Sequence, residues 1–288
     1  MTDKPGNTAG IAQSRAPGST RIAFIGGGNM ARSLITGLLA AGWNQARIRV
    51  SEPLAEQRKV LADMGVTAVA SNDEAIVDAA VVVLAVKPQL LSKVLRDLRG
   101  LENAQLLISI AAGVPLTAIR QWSSPDQPVV RCMPNTPALL RAGITGLFAD
   151  ERVNAAQRQL AEQILAAAGK VIWVADEAQL DAVTAVSGSG PAYFFYLMEA
   201  MVDAGVSLGL DEETATLLTL ETAYGAALMA RAGDRAPARL RANVTSPGGT
   251  TERALSILEA AGVRRSVEEA LTGAAQRSKE LAEEFGRS

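Results

Sequence analysis

Between Arg21 and Met133 the chain repeats short runs of β-branched and aliphatic residues: RIAFI (21–25), ARIRVS (46–51), AAVVVLAV (79–86), QLLISIAA (105–112) and PVVRCM (128–133). These runs are continuous rather than alternating, so both faces of each strand require cover. Helical stretches such as 30–41 and 53–64 separate them. Strand–helix alternation of this kind leads to an α/β domain with a doubly wound, Rossmann-type parallel sheet. A last run, KVIWV (170–174), is expected to close the sheet.

After about Leu180 strand-like runs give way to alanine and leucine with interspersed Glu and Arg. The spacing predicts helices at roughly 191–207, 211–232, 250–261 and 265–285, with Asp211 as an N-cap and Gly209 and Gly262 as stops. The stretch YFFYLMEAMVDAGVSLGL is apolar around most of its circumference and needs cover on more than one side. A partner subunit is the favoured source of that cover, ahead of the chain's own sheet domain. The expected division is a mobile tail at 1–20, a dinucleotide-type sheet domain at 21–180 and an all-helical domain at 181–288.

Composition narrows the function classes. Charged residues make up 20% of the chain and the net charge is -2, with no basic cluster, so nucleic acid is not expected as a partner. Cys132 is the lone cysteine and there is no histidine. An intrachain disulfide is impossible, no Cys/His metal site is expected, and a reducing cytoplasm fits. No apolar run approaches the roughly 18 residues of a membrane helix. The first 20 residues lack a hydrophobic block and do not read as a secretory signal.

The segment Gly26-Gly27-Gly28-Asn29-Met30-Ala31 fits G-x-G-x-x-A between a strand and a helix, the context of a dinucleotide phosphate turn. Gly26 permits the tight turn, Gly28 lets a pyrophosphate approach the backbone, and Ala31 allows close packing. Glu52 stands 24 residues beyond Gly28, at the end of the second strand run. Two readings stand for it: a ligand of the adenine ribose, or a helix-start acid before Pro53 with no ligand. Ser51, Arg58 and Lys59 are candidates for a 2′-phosphate, so NADPH and NADH both remain open. Ala85-Val86-Lys87-Pro88 and Ala111-Ala112-Gly113 end two further strand runs, where ligands bind in open α/β sheets. Lys87 is a cation at such an end, or an ordinary surface lysine.

Two glycine- and hydroxyl-rich segments interrupt the helical half: Ser187-Gly188-Ser189-Gly190-Pro191 and Thr245-Ser246-Pro247-Gly248-Gly249-Thr250-Thr251. Each feeds a helix N-terminus and suits an anion such as a carboxylate. Plain N-capping is the alternative, and it accounts for one hydroxyl rather than several with glycines. The lack of histidine bears on the chemistry. A ketone reductase must protonate a developing alkoxide, whereas a protonated cyclic imine accepts hydride directly. A hydroxyl such as Thr251, hydrogen-bonded to the ring nitrogen, then suffices to orient it. Carbonyl chemistry through Lys87 or Tyr193 is the other option.

Six segments together resemble the pyrroline-5-carboxylate reductase family: IGGGNMA (25–31), AVKP (85–88), ISIAAGV (108–114), MPNTP (133–137), AVSGSGPAYFF (185–195) and VTSPGGTTERAL (244–255). The resemblance runs from Arg21 to about Leu281 and leaves the N-terminal tail outside. It implies reduction of 1-pyrroline-5-carboxylate to L-proline, the last step of proline biosynthesis, by NADPH or NADH. It also implies a Rossmann domain followed by a helical dimerisation domain, with the site built across a homodimer and dimers assembled into a decamer. By motif, Gly26 to Ala31, Asn72, Ala85 to Pro88, Ile110, Ala111, Ala112 and Asn243 would contact the cofactor. Ser246, Gly249, Thr250 and Thr251 would hold the substrate, with Thr251 on the ring nitrogen and Glu177 nearby. Rival readings are another imine reductase, a β-hydroxyacid dehydrogenase-like enzyme, and a non-catalytic NAD(P) sensor.

Overall fold

The structure is a computed structural model that describes residues 19–233 and 236–286. Residues 1–18 of the expected tail and the last two residues lie outside the described residues, while Thr20 is buried. The chain divides into two compact units, residues up to Leu180 together with those from Glu280 on, and Asp181–Lys279.

The first unit holds one eight-stranded sheet. In chain order its elements are β1 (Ile22–Ile25), α1 (Asn29–Ala40), β2 (Ile48–Ser51), α2 (Ala55–Asp63), β3 (Thr67–Val69), α3 (Asn72–Ile76), β4 (Val81–Leu84), α4 (Pro88–Asp97), β5 (Leu106–Ser109), α5 (Leu116–Trp122), β6 (Val129–Met133), β7 (Gly143–Phe148), α6 (Ala155–Ala166) and β8 (Gly169–Trp173). The strand order is β3-β2-β1-β4-β5-β6-β7-β8. The first six strands are parallel in the doubly wound order, with Ile22 opposite both Ile48 and Val81.

Successive residues of β1 face opposite sides, and both sides are covered. Ile22 and Phe24 join Leu34, Ile35 and Leu38 of α1 and Ile164 and Leu165 of α6 in one core. Ala23 and Ile25 join Leu91 and Leu95 of α4 and Ile119 and Trp122 of α5 in the other. Two strands escape the run-based reading. β3 has three residues, and β7 pairs antiparallel with β6 before β8 returns parallel to β7. The antiparallel step follows from a tight 3₁₀ turn at Thr136–Leu140, ended by Arg141 in a left-handed conformation. β8 closes the far edge, as KVIWV suggests.

The second unit is helical: α7 (Gln179–Val183) leads into it, followed by α8 (Gly190–Ser207), α9 (Glu212–Ala232), α10 (Pro237–Asn243), α11 (Thr250–Ala260) and α12 (Val263–Gly286), whose residues from Glu280 on belong to the first unit. Asp211 caps α9 through the Thr214 N–H, as expected. α10 is absent from the sequence reading. Ser187–Pro191 is not a loop. Residues Thr184–Gly188 form a π turn, with the Ser189 N–H donating to the Thr184 carbonyl, and the chain passes directly into α8. Small residues with a following proline permit that wider turn. In α8, Phe194, Phe195 and Tyr196 are 66%, 63% and 75% exposed, so the chain alone leaves much of this apolar helix uncovered.

Candidate functional site

The residues expected to hold a dinucleotide, Asn243 apart, lie at the carboxyl ends of β1, β2, β3, β4 and β5. Gly26 follows β1, and its N–H donates to the Ser51 carbonyl at 2.9 Å. Its φ is +98°, and a Cβ there would lie 2.7 Å from the Ala85 carbonyl oxygen. Only glycine permits both the conformation and this approach. Gly28 is the cap residue of α1, and no side chain caps that helix. A Cβ on Gly28 would meet nothing within 4 Å. The α1 N-terminus is thus uncapped, with open space at Gly28, the arrangement that accepts a phosphate. Ala31 is buried in the core, in keeping with a packing role. These features fit a dinucleotide.

Around this turn the side chains are ordered by hydrogen bonds. The Ser51 hydroxyl is buried and donates to Asn72 Oδ1 at 2.6 Å, which joins the end of β2 to the start of α3. Glu52 follows β2. Its carboxylate accepts the Gly27 N–H and the Leu54 N–H, each at 3.1 Å. Val86, Lys87 and Pro88 form the β4–α4 junction, with exposed Lys87 at the cap position and Pro88 at the helix start. Ile110, Ala111 and Ala112 follow β5, and the Ile110 N–H donates to the Leu84 carbonyl.

The second expected cluster lies in the helical unit. Ser246-Pro247-Gly248-Gly249 is a tight turn: the Gly249 N–H donates to the Ser246 carbonyl at 3.1 Å, and Gly248 has φ of +71°. Proline followed by a left-handed glycine is the pattern of a type II turn. Gly249 is then the cap residue of α11, and no side chain caps this helix. The plain capping alternative therefore does not hold. Among the described residues no hydrogen bond engages the hydroxyls of Ser246, Thr250 or Thr251. By contrast, Ser71, Asn154 and Asp211 cap α3, α6 and α9 with their own side chains. Glu252 folds back and accepts the Gly248 N–H at 2.7 Å, which braces the turn. Asn243 is exposed at the end of α10.

Glu177 has defined partners within the first unit. Its Oε1 accepts from Arg131 Nη1 at 2.5 Å and from the Leu116 N–H at 2.8 Å. It thereby caps α5 and neutralises a nearly buried guanidinium of β6. Sequence reasoning passed over Arg131, although an arginine inside the run VVRCM is a signal in itself, since a buried cation needs a partner. The Cys132 thiol is also buried, and burial pushes its pKa far above the ordinary value, so it is no nucleophile.

Comparison with known proteins places these clusters in a family. Residues 177–281 match the pyrroline-5-carboxylate reductase dimerisation family, and residues 21–113 match the family of coenzyme F420-dependent NADP oxidoreductases. The chain is 56% identical to the pyrroline-5-carboxylate reductase of Pseudomonas aeruginosa over 93% of its length and 98% of the relative's. A pyrroline-5-carboxylate reductase from Coxiella burnetii superposes with a TM-score of 0.86 at 45% identity, covering 92% of this chain and 99% of that one. The pyrroline carboxylate reductase of Plasmodium falciparum, solved with NADP bound, gives a TM-score of 0.84 at 28% identity, covering 93% and 100%. With both clusters built as described and relatives matched over nearly their whole length, the chain belongs to the pyrroline-5-carboxylate reductase family.

Proposed function

We propose that this chain reduces 1-pyrroline-5-carboxylate to L-proline with NADPH or NADH, the last step of proline biosynthesis. The observation that carries this reading is the turn before α11: a glycine at the cap position and hydroxyls left without partners among the described residues. The bound reduced nicotinamide supplies the hydride. Gly26, Gly27, Gly28, Asn29, Met30 and Ala31 hold the pyrophosphate through the uncapped start of α1. Ser51, Glu52 and Asn72 border the adenosine side. Ala85 to Pro88 and Ile110 to Ala112 offer small or backbone surfaces at strand ends, and the family resemblance adds Asn243 as a cofactor contact.

On the substrate side, the N–H groups at the start of α11 and the Ser246 and Thr250 hydroxyls bind the ring carboxylate. Gly249 keeps the backbone near enough to do so. Thr251 hydrogen-bonds the ring nitrogen and orients the C=N bond. The protonated imine needs no strong acid in the hydride step, which accounts for a reductase without histidine. Glu177 matches an acidic residue near the substrate in the family resemblance, and its pairing with Arg131 fixes where its charge sits.

On this reading residues 21–180 serve as the dinucleotide domain and 181–288 as the dimerisation and substrate domain, although the residues from Glu280 on pack with the first unit. The exposed faces of α8 and α9, including Leu217 at 61% and Tyr224 at 63%, suit a homodimer, with dimers assembled into a decamer. No helix among the described residues is long and apolar enough to cross a membrane. The single cysteine fits a reducing cytoplasm.

The test is oxidation of NADPH and NADH by the purified protein over a panel of pyrroline-5-carboxylate, larger cyclic imines and β-hydroxyacids. Fast turnover confined to pyrroline-5-carboxylate, with proline as product, supports the reading. Faster turnover of another imine or a hydroxyacid replaces the substrate, and cofactor binding without turnover on any of them leaves a sensor.

A further inference from the structure

We propose that Glu52 makes this site select NADH over NADPH. The proposal rests on reading Gly26 to Ala31 as the dinucleotide turn. Glu52 directly follows β2, whose end lies beside the phosphate turn: the Gly26 N–H donates to the Ser51 carbonyl. In folds of this type an acidic residue there meets the adenine ribose. What the structure adds is that this carboxylate is fixed. Oε2 accepts the N–H of Gly27, the middle glycine of the turn, and Oε1 accepts the N–H of Leu54, each at 3.1 Å. The Glu52 N–H in turn donates to the Val69 carbonyl, which anchors the backbone. A carboxylate has about four lone-pair positions, so two remain to accept ribose hydroxyls.

A 2′-phosphate brings about two negative charges against that fixed carboxylate. Compensation would have to come from nearby donors, and most are engaged. The Ser51 hydroxyl is buried and turned to Asn72. Arg58 donates through Nη1 to the carbonyls of Glu52 and Pro53. Arg32 donates to the Gly27 carbonyl and to Gln57. Arg58 keeps further N–H groups on Nε and Nη2, held in place by those two carbonyl bonds. Lys59 is exposed on α2 and free of the geometric fork that grips phosphate. Gly27 adds a constraint of its own: a Cβ there would lie 3.4 Å from Glu52 Oε2 and 2.5 Å from Leu61 Cδ1, so the turn and the carboxylate are fitted together.

The test is the dissociation constant of NADH and of NADPH, measured by nicotinamide fluorescence without substrate, on the full chain and on Glu52→Gln and Glu52→Ser. The full chain is expected to bind NADH about tenfold or more tightly than NADPH. Both variants are expected to narrow that ratio, mainly through tighter NADPH. A merely structural Glu52 would weaken both dinucleotides together, and that result overturns the proposal. So does an unsubstituted chain that binds NADPH as well as NADH or better, while the function reading survives. Binding of neither dinucleotide overturns the reading of the turn and the proposal with it. Should the variants not fold, displacement of NADH from the unsubstituted protein by AMP and by adenosine 2′-monophosphate decides: AMP must displace more strongly.

Discussion

Gly249 lies so close to Ser246 that a Cβ on it would stand 2.6 Å from the Ser246 hydroxyl oxygen. A larger residue there would push the Ser246 hydroxyl aside, and that hydroxyl is one of those proposed to hold the substrate. Gly249→Ala is expected to raise KM for pyrroline-5-carboxylate by about tenfold or more while the melting temperature changes little, because the turn is mostly exposed. Steady-state kinetics beside a thermal melt checks both parts.

Thr251 sits in the first turn of α11 and no hydrogen bond within the described chain engages its hydroxyl. Thr251→Val keeps the shape and removes that hydroxyl. Turnover is expected to fall on the order of 100-fold, the scale of losing one well-placed hydrogen bond in a reacting site. Dissociation constants for NADH and NADPH should stay unchanged. An unaltered kcat removes Thr251 from the mechanism.

Gly26 has φ of +98° and faces the Ala85 carbonyl. Gly26→Ala is strained in conformation and contact together, costing about 1–3 kcal/mol in stability and spoiling the turn. Dinucleotide binding by fluorescence should weaken by about tenfold at least. Wild-type affinity in this variant would mean the turn does not hold the cofactor.

Arg131 and Glu177 form an ion pair at 2.5 Å, with side chains 10% and 28% exposed. Glu177→Ala leaves a nearly buried guanidinium unpaired and the α5 start uncapped. The expected loss is about 2–3 kcal/mol in urea unfolding, reduced from the fully buried case because Glu177 is partly exposed. Arg131→Met with Glu177→Ala together should cost less than the sum of the two single changes.

Asp150 is held below the usual carboxylate pKa, first by its hydrogen bonds from Arg120, against a smaller opposing effect of burial. A depressed pKa stabilises the folded chain above the unfolded value of about 3.9 and ceases to do so as pH falls through the lower folded value. Asp150→Asn should thus lower stability by a constant amount between neutral pH and about pH 5. The two unfolding curves should converge on further acidification. A gap that widens in acid contradicts the assignment.

How much of this was legible in the sequence depended on run length and on where the runs lay. β1, β4 and β5 were readable because continuous Val, Ile and Leu leave few alternatives, and Gly26 to Ala31 because glycines followed a strand. The runs extend past the strands: Ala85 and Val86, and Ile110 to Ala112, lie beyond the strand ends and form the crevice edge. β7, GITGLF, carries two glycines after a proline-rich turn and gave no run to find. β3 was too short to register, and α10, seven residues with Leu240 as its one large apolar side chain, carries no apolar stripe. At Ser187 to Pro191 glycines and proline suggested a loop, but a π turn keeps the backbone bonded through the same residues. The Glu52 carboxylate's partner, the Gly27 N–H, is 25 positions away and belongs to tertiary structure alone.

The most direct test of the central claim follows the hydride itself. The protein is given pyrroline-5-carboxylate with NADH or NADPH carrying deuterium at the transferable nicotinamide position, and the product is read by mass spectrometry and NMR. Hydride delivery to the imine carbon predicts L-proline with a single deuterium on the ring carbon bonded to nitrogen that bears no carboxylate. Proline without deuterium, or no proline despite bound cofactor, would contradict the account.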